Sequence, residues 1–170
     1  MGRKHQATVT HLEMSSAPAF NLPRPSGSLS LMRVTRPPLH FYRYLYTIVG
    51  GDYVWVDRHK LSDDALRAII HDPDVAIYVL YRDGAPVGFA ELDFRSMPTA
   101  ELVYFGLIAE TIGQGLGRYF LTEIIRTAWS HGPGRLIVQT CTLDHPRALS
   151  LYQRCGFSPV GQEQVEFEEP

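Results

Sequence analysis

Two cysteines in 170 residues, Cys141 and Cys155, are too few for the disulfide framework of a small secreted domain. Each falls within an apolar pattern and reads as a buried free thiol. No apolar run approaches the roughly 20 residues needed to cross a bilayer, so no membrane partner is expected. A basic excess is also missing: 16 Lys and Arg against 18 Asp and Glu leave a net charge of −2. Such a balance gives no footprint for nucleic acid. His59, His71 and His131 stand alone, without the paired spacing of a metal site, and no metal is expected. The basic start Met1–His5 is not followed by a continuous apolar stretch. The expectation is no secretory signal and a cytoplasmic, reducing setting.

The length suits one domain with a proper core. Residues 1–27 are rich in Ser, Pro, Ala and Gly and read as a flexible N-terminal extension, leaving 28–170 as a single domain. Ser28–Thr35 alternates enough for a first strand. Pro37 and Pro38 set up a helix over His40–Val49, with Phe41, Leu45, Ile48 and Val49 as its inner face. Tyr42, Tyr44 and Tyr46 are then left partly outside that face. They suit either a substrate pocket or a subunit interface in a homodimer, and the sequence leaves both open. Ser62 reads as the N-cap of a second helix, with Asp63 and Asp64 in its first turn and Leu61 stapled to Leu66. Val75–Tyr81, an Asp83-Gly84 turn and Pro86–Phe94 make a hairpin that continues into a third strand.

That third strand, from Glu101, runs into Thr111-Ile-Gly-Gln-Gly-Leu-Gly117 and then a clean helical stripe, Phe120, Leu121, Ile124, Ile125, Ala128 and Trp129. Alternate glycines at a strand-to-helix turn bring backbone N–H groups and the positive end of a helix dipole to one spot, which suits phosphate oxygens. A dinucleotide fingerprint fails, because its third glycine would fall at Arg118 or Phe120. A Walker A loop fails too, lacking Lys followed by Ser or Thr. Downstream, Arg135–Thr142 reads as a strand parallel to the one before the helix. Asp144 reads as the N-cap of a short helix that ends at Gly156.

Ile112-Gly-Gln-Gly-Leu-Gly117 resembles the coenzyme A loop, Q/R-x-x-G-x-G/A, of the GNAT superfamily of N-acetyltransferases. Ile112 replaces the usual Gln or Arg, a position not essential to the backbone cradle. Leu151-Tyr-Gln-Arg-Cys-Gly-Phe157 is similar to the family's L-Y-x-x-x-G-F segment. The element order β-α-α-β-β-β-α-β-α-β also agrees, over about residues 29–168. The resemblance implies a mixed α/β fold with a largely antiparallel central sheet and helices on both faces. It implies acetyl-CoA as acyl donor, held by Leu107, Ile108, Ala109, Gly113, Gln114, Gly115, Leu116, Gly117, Arg118 and His145. His145 stands where the family often has asparagine.

Acetyl transfer from a thioester to an amine needs a group to take the amine's proton, a donor for the developing oxyanion, and a proton for the departing thiolate. In the histone acetyltransferase branch a glutamate precedes the last loop glycine by sixteen residues, and Glu101 and Gly117 share that spacing. The resemblance therefore implies Glu101 as base, with Glu91 as second candidate; many family members use a water chain. Strand alternation puts Glu101 on the face of Val103 and Phe105. Tyr152 matches the tyrosine that the family places near the coenzyme sulfur, and a backbone N–H around Leu107 would serve the oxyanion. The implied function is an N-acetyltransferase acting by direct attack of a small-molecule, peptide or protein amine. The contrasting reading is a non-catalytic acyl-CoA-binding or sensing module.

Overall fold

The computed structural model describes residues 2–169. Seven strands, β1 (Arg3–Met14), β2 (Leu29–Arg33), β3 (Val75–Arg82), β4 (Ala85–Asp93), β5 (Thr99–Leu107), β6 (Arg135–Cys141) and β7 (Ser158–Glu169), form one sheet in the order β2-β3-β4-β5-β6-β1-β7. Only β5 and β6 run parallel; every other neighbouring pair is antiparallel. Helices α1 (Leu39–Gly50) and α2 (Asp63–Ile70) cover one face, while α3 (Leu116–Ser130) and α4 (Ala148–Arg154) cover the other.

Strand alternation divides the core between the two faces. Val75, Ile77 and Val79 of β3 pack under α1 and α2, whereas Ala76 and Leu80 join the cluster of Phe120, Leu121, Ile124 and Ile125 on α3. Ser62 caps α2 as expected, its Oγ accepting from the Ala65 N–H at 3.2 Å. The Asp83-Gly84 turn has φ of 52° and 86°, the left-handed pair that closes a two-residue hairpin.

Four expectations are corrected. Residues 3–14 are not a flexible lead-in: β1 lies inside the sheet, paired with both β6 and β7. Thr10, Leu12 and Met14 alternate inward, 6%, 1% and 5% exposed, a short period-2 signal diluted by the Pro- and Ser-rich residues 15–28. That connection packs as well. Phe20 lies under the Arg126 guanidinium, and Arg126 donates to the Phe20 carbonyl at 3.0 Å.

On α1 the buried stripe is Tyr42, Leu45, Tyr46 and Val49, and Ile48 is 41% exposed. The tyrosines go inward because the sheet offers their hydroxyls polar partners, Glu91 for Tyr42 and Tyr104 for Tyr46. Asp144 does not cap α4, whose N-cap is Arg147 without a side-chain bond. It accepts instead from Thr140 Oγ1 at 2.7 Å and the Cys141 N–H at 2.9 Å, which fixes the end of β6.

The fourth correction concerns β5. Glu91 and Leu92 of β4 pair with Tyr104 and Leu102, leaving Val103 as an extra residue in a bulge. A bulge bends its strand and reverses the facing of the residues beyond it. Ala100 and Leu102 face α3, as does Phe105, whose ring lies 5.0 Å from that of Phe120. Glu101 therefore shares its face with Tyr104 rather than with Phe105.

Candidate active site

The bulge also opens the site. β5 and β6 pair only over Thr99–Leu102 and Arg135–Val138, then diverge. Between them lies a cleft of about 840 Å³, walled by Val103–Leu107 and Val138–Cys141. The Ile108 N–H donates to the Val87 carbonyl at 2.8 Å, toward β4. Backbone N–H groups alternate along a strand, so the Leu107 N–H points into the cleft.

One half of the cleft is made of backbone. Gly113 and Gly115 have φ of +86° and +79°, and a Cβ at either would meet nothing within 4 Å. Their conformation requires glycine, and the space they leave faces the opening. Gly115 is the N-cap of α3, so the first N–H groups of the helix lack intrahelical acceptors. Among the described residues, the N–H groups from Gly113 to Gly117 donate to no backbone carbonyl outside the helix. Arg118, at the start of α3, lines the cleft, as do Arg147 and Arg154. Free N–H groups and a positive dipole end at the loop fit a pyrophosphate. The Gln114 side chain turns away, accepting from Arg82 Nη1 and donating to the Glu110 carbonyl, and so steadies the loop.

The other half is made of side chains. Tyr46, Trp55 and Tyr104 pack with ring centroids 5.1–5.8 Å apart. Trp55 fits because Gly50 has no side chain; a Cβ there would sit 2.3 Å from the indole. The Trp55 Nε1–H reaches across the cleft to Asp144 Oδ1 at 3.3 Å. Beneath these rings lies a buried network. Glu91, 1% exposed, accepts from Tyr42 Oη at 2.5 Å and from Arg58 Nη2 at 2.6 Å. Arg58 also lies over the Tyr104 ring, 5.3 Å from its centroid, and its backbone N–H donates to Tyr46 Oη. Burial, then the Glu91 charge, pushes the Tyr42 hydroxyl well above its ordinary value, so it stays a donor.

Of the sequence-predicted residues, Leu107, Gly113, Gly115, Gly117, Arg118, His145 and Tyr152 line the cleft. Leu116 is fully buried and offers only its N–H. Ile108 packs under α1, and Ala109 begins a short 3₁₀ turn beside the loop. Tyr152 is 6% exposed, held by Phe105 and Phe157, with no protein partner for its hydroxyl among the described residues. Burial, with a further push from Asp144, raises its proton affinity. It therefore stays a neutral hydroxyl rather than holding a negative charge. His145 Nδ1 accepts from the Arg147 N–H at 3.1 Å.

Glu101 lines a second, smaller cavity of about 310 Å³ that shares Val138 and Gln139 with the cleft. It stands at the last rungs before β5 and β6 part, opposite Ile137. Burial, then Asp93 and Glu91, raises its proton affinity. Glu91, the second candidate base, is fully engaged by Tyr42 and Arg58. Sequence reading missed Arg58 as part of the site. A buried carboxylate within the apolar run Val87–Leu92 was the one available signal that a cation must come to meet it.

The architecture is a seven-stranded mixed sheet that splays at its one parallel pair, beside a glycine-rich strand-to-helix loop. Residues 42–157 match the Acetyltransferase (GNAT) family, and the chain belongs to it. This is a family whose acyl donor is acetyl-CoA. No curated protein matches. Among solved structures, the chain is similar to a functionally unknown conserved protein from Staphylococcus epidermidis ATCC 12228, at 16% identity and TM-score 0.61. That match covers 98% of this chain, which spans only 64% of the other's length. An aminoglycoside acetyltransferase from an uncultured soil metagenomic sample matches at 16% identity and TM-score 0.61, over 75% of this chain and 87% of that one. An IAA acetyltransferase from Bacillus cereus ATCC 14579 matches at 21% identity and TM-score 0.57, over 77% of each chain.

Proposed function

We propose that the protein is an N-acetyltransferase that moves an acetyl group from acetyl-CoA to an amine by direct attack. The observation that carries this reading is the early end of the β5–β6 ladder, which turns the Leu107 N–H into a cleft that begins at the Gly113–Arg118 loop. Bound acetyl-CoA supplies the thioester carbonyl. The Leu107 N–H donates to the oxygen as negative charge develops on it. Glu101, half-buried and without a hydrogen-bond or ion-pair partner among the described residues, takes the amine's proton through the cavity that adjoins the cleft. As the C–N bond forms and the C–S bond breaks, the Tyr152 hydroxyl donates to the departing sulfur. Cys141 lines the cleft but takes no covalent part: burial, then Asp144, keeps its thiol protonated.

Binding is tested by thermal unfolding. Acetyl-CoA at a hundredfold excess over its dissociation constant is expected to stabilise the fold by about 2.7 kcal/mol, roughly 5–10 °C for a chain of this length. No shift at millimolar acetyl-CoA would remove the reading. Release of free thiol with spermidine, lysine, tyramine and an aminoglycoside then separates an enzyme from an acyl-CoA-binding module, which binds without turnover.

A further inference from the structure

The register of the sheet sets a second carboxylate directly across from Glu101. Asp93 on β4 is its Cα partner on β5. Like charges opposite each other on an antiparallel pair repel. A free aspartate would relieve the repulsion by turning away, but Asp93 is clamped. Arg95 donates to it from Nε at 3.1 and 3.2 Å, from Nη2 at 2.8 Å and from its backbone N–H at 2.9 Å. The Asp93 side chain is 18% exposed. Burial alone would push its proton affinity up, yet the Arg95 bonds hold it below the ordinary range, so Asp93 stays charged.

The remaining charged groups facing Glu101 are already engaged. Glu91 pairs with Arg58 at 2.6 Å. In the adjoining cavity Glu13 pairs with Arg135 at 3.1 Å, and His11 meets Glu163 at 2.9 Å. Glu101 has no hydrogen-bond or ion-pair partner among the described residues; it faces the charge of Asp93, which Arg58 and Arg95 oppose more weakly.

We propose that Asp93, locked by Arg95, is a positioning residue for the transfer: its fixed charge across the ladder makes Glu101 a stronger proton acceptor than an isolated carboxylate. The proposal rests on Glu101 as the base. Asp93 touches neither substrate and acts only through Glu101.

Carbon-13 NMR of the glutamate side-chain carboxyls tests this without any substrate. The Glu101 signal is assigned from its loss in Glu101→Gln. In Asp93→Asn the Glu101 titration midpoint is expected to fall by about half a pH unit or more, while Asp93→Glu, which keeps the charge, retains the wild-type midpoint. A folded Asp93→Asn with an unchanged midpoint overturns the proposal. Kinetics with acetyl-CoA and the fastest amine of the four above supply the second arm. The acid limb of the kcat/KM profile is expected to move to lower pH in Asp93→Asn and to vanish in Glu101→Gln. A limb that survives Glu101→Gln removes Glu101 as base, and the proposal with it. A limb lost in Glu101→Gln but unmoved in Asp93→Asn removes the proposal alone.

Discussion

On its loop side the cleft is lined by main chain: positive-φ glycines, free N–H groups at the start of α3 and a strand edge bared by a bulge. On its aromatic side it is lined by Tyr46, Trp55 and Tyr104, held from below by the buried Glu91–Arg58 pair. The first kind of wall depends on a few backbone conformations and little else. The second depends on side chains from α1, the α1–α2 connection, β4 and β5 meeting in one place. A fault in the loop should therefore spoil binding and leave the fold standing, whereas a fault under the aromatic wall should weaken the fold itself.

The sharpest test of that contrast is Glu91→Ala. It strands the Arg58 guanidinium, whose side chain is 15% exposed, and leaves the Tyr42 hydroxyl without an acceptor. A loss of about 3–5 kcal/mol in urea unfolding is expected. A loss under about 1 kcal/mol would show that the network does not support the wall. Gly115→Val comes next. A branched side chain at φ +79° costs about 1–2 kcal/mol and forces the cradle out of shape. Acetyl-CoA affinity measured by calorimetry is expected to drop at least about 100-fold, or roughly 2.7 kcal/mol. Binding within a few-fold of wild type would break the comparison.

The smallest effect is expected at Glu101, in the cavity that adjoins the cleft. Its folded form holds a proton more tightly than its unfolded form, so the protein loses stability as pH rises from the ordinary carboxylate range through the raised folded value. Glu101→Gln removes that loss. The variant should be more stable than wild type at pH 7, by roughly 0.5 kcal/mol or less after solvent screening, and should lose the advantage near pH 4. Parallel unfolding curves at the two pH values check the sign.

The same contrast decides what could be read from the sequence. Gly113 and Gly115 were legible because a left-handed backbone position favours one residue type. Ser62, the Asp83-Gly84 turn and the α3 stripe were legible because caps, turns and helical periods are local. The Val103 bulge left no mark on its own strand, since an extra residue is defined only by the partner it fails to match. Asp144 looked like a helix cap by position, yet its oxygens are taken by Thr140, Cys141 and Trp55. Tyr42 and Tyr46 were set partly outside the α1 face because Phe41, Leu45, Ile48 and Val49 already made one apolar stripe; Glu91 and Tyr104 satisfy their hydroxyls inside. Strand β1 was missed because its signal is spread over a few alternate residues and its partners lie far along the chain.

That distance has a consequence for how the molecule comes into being. The bonds that join β1 to the rest of the sheet span 134 residues from Thr8 to Thr142, 152 from Thr10 to Gln162 and 156 from Thr8 to Gln164. Contacts so remote in sequence are slow to form. During synthesis β1 emerges ahead of everything it binds, and it must stay extended and unpaired until β6 and β7 have followed it out. The sheet can assemble from β2 to β6 in the order of translation, but its last gap is filled by its first strand. Until then the exposed edge of β6 is open to β1 of a neighbouring nascent chain as readily as to its own, so domain-swapped dimers are the characteristic misassembly this topology invites.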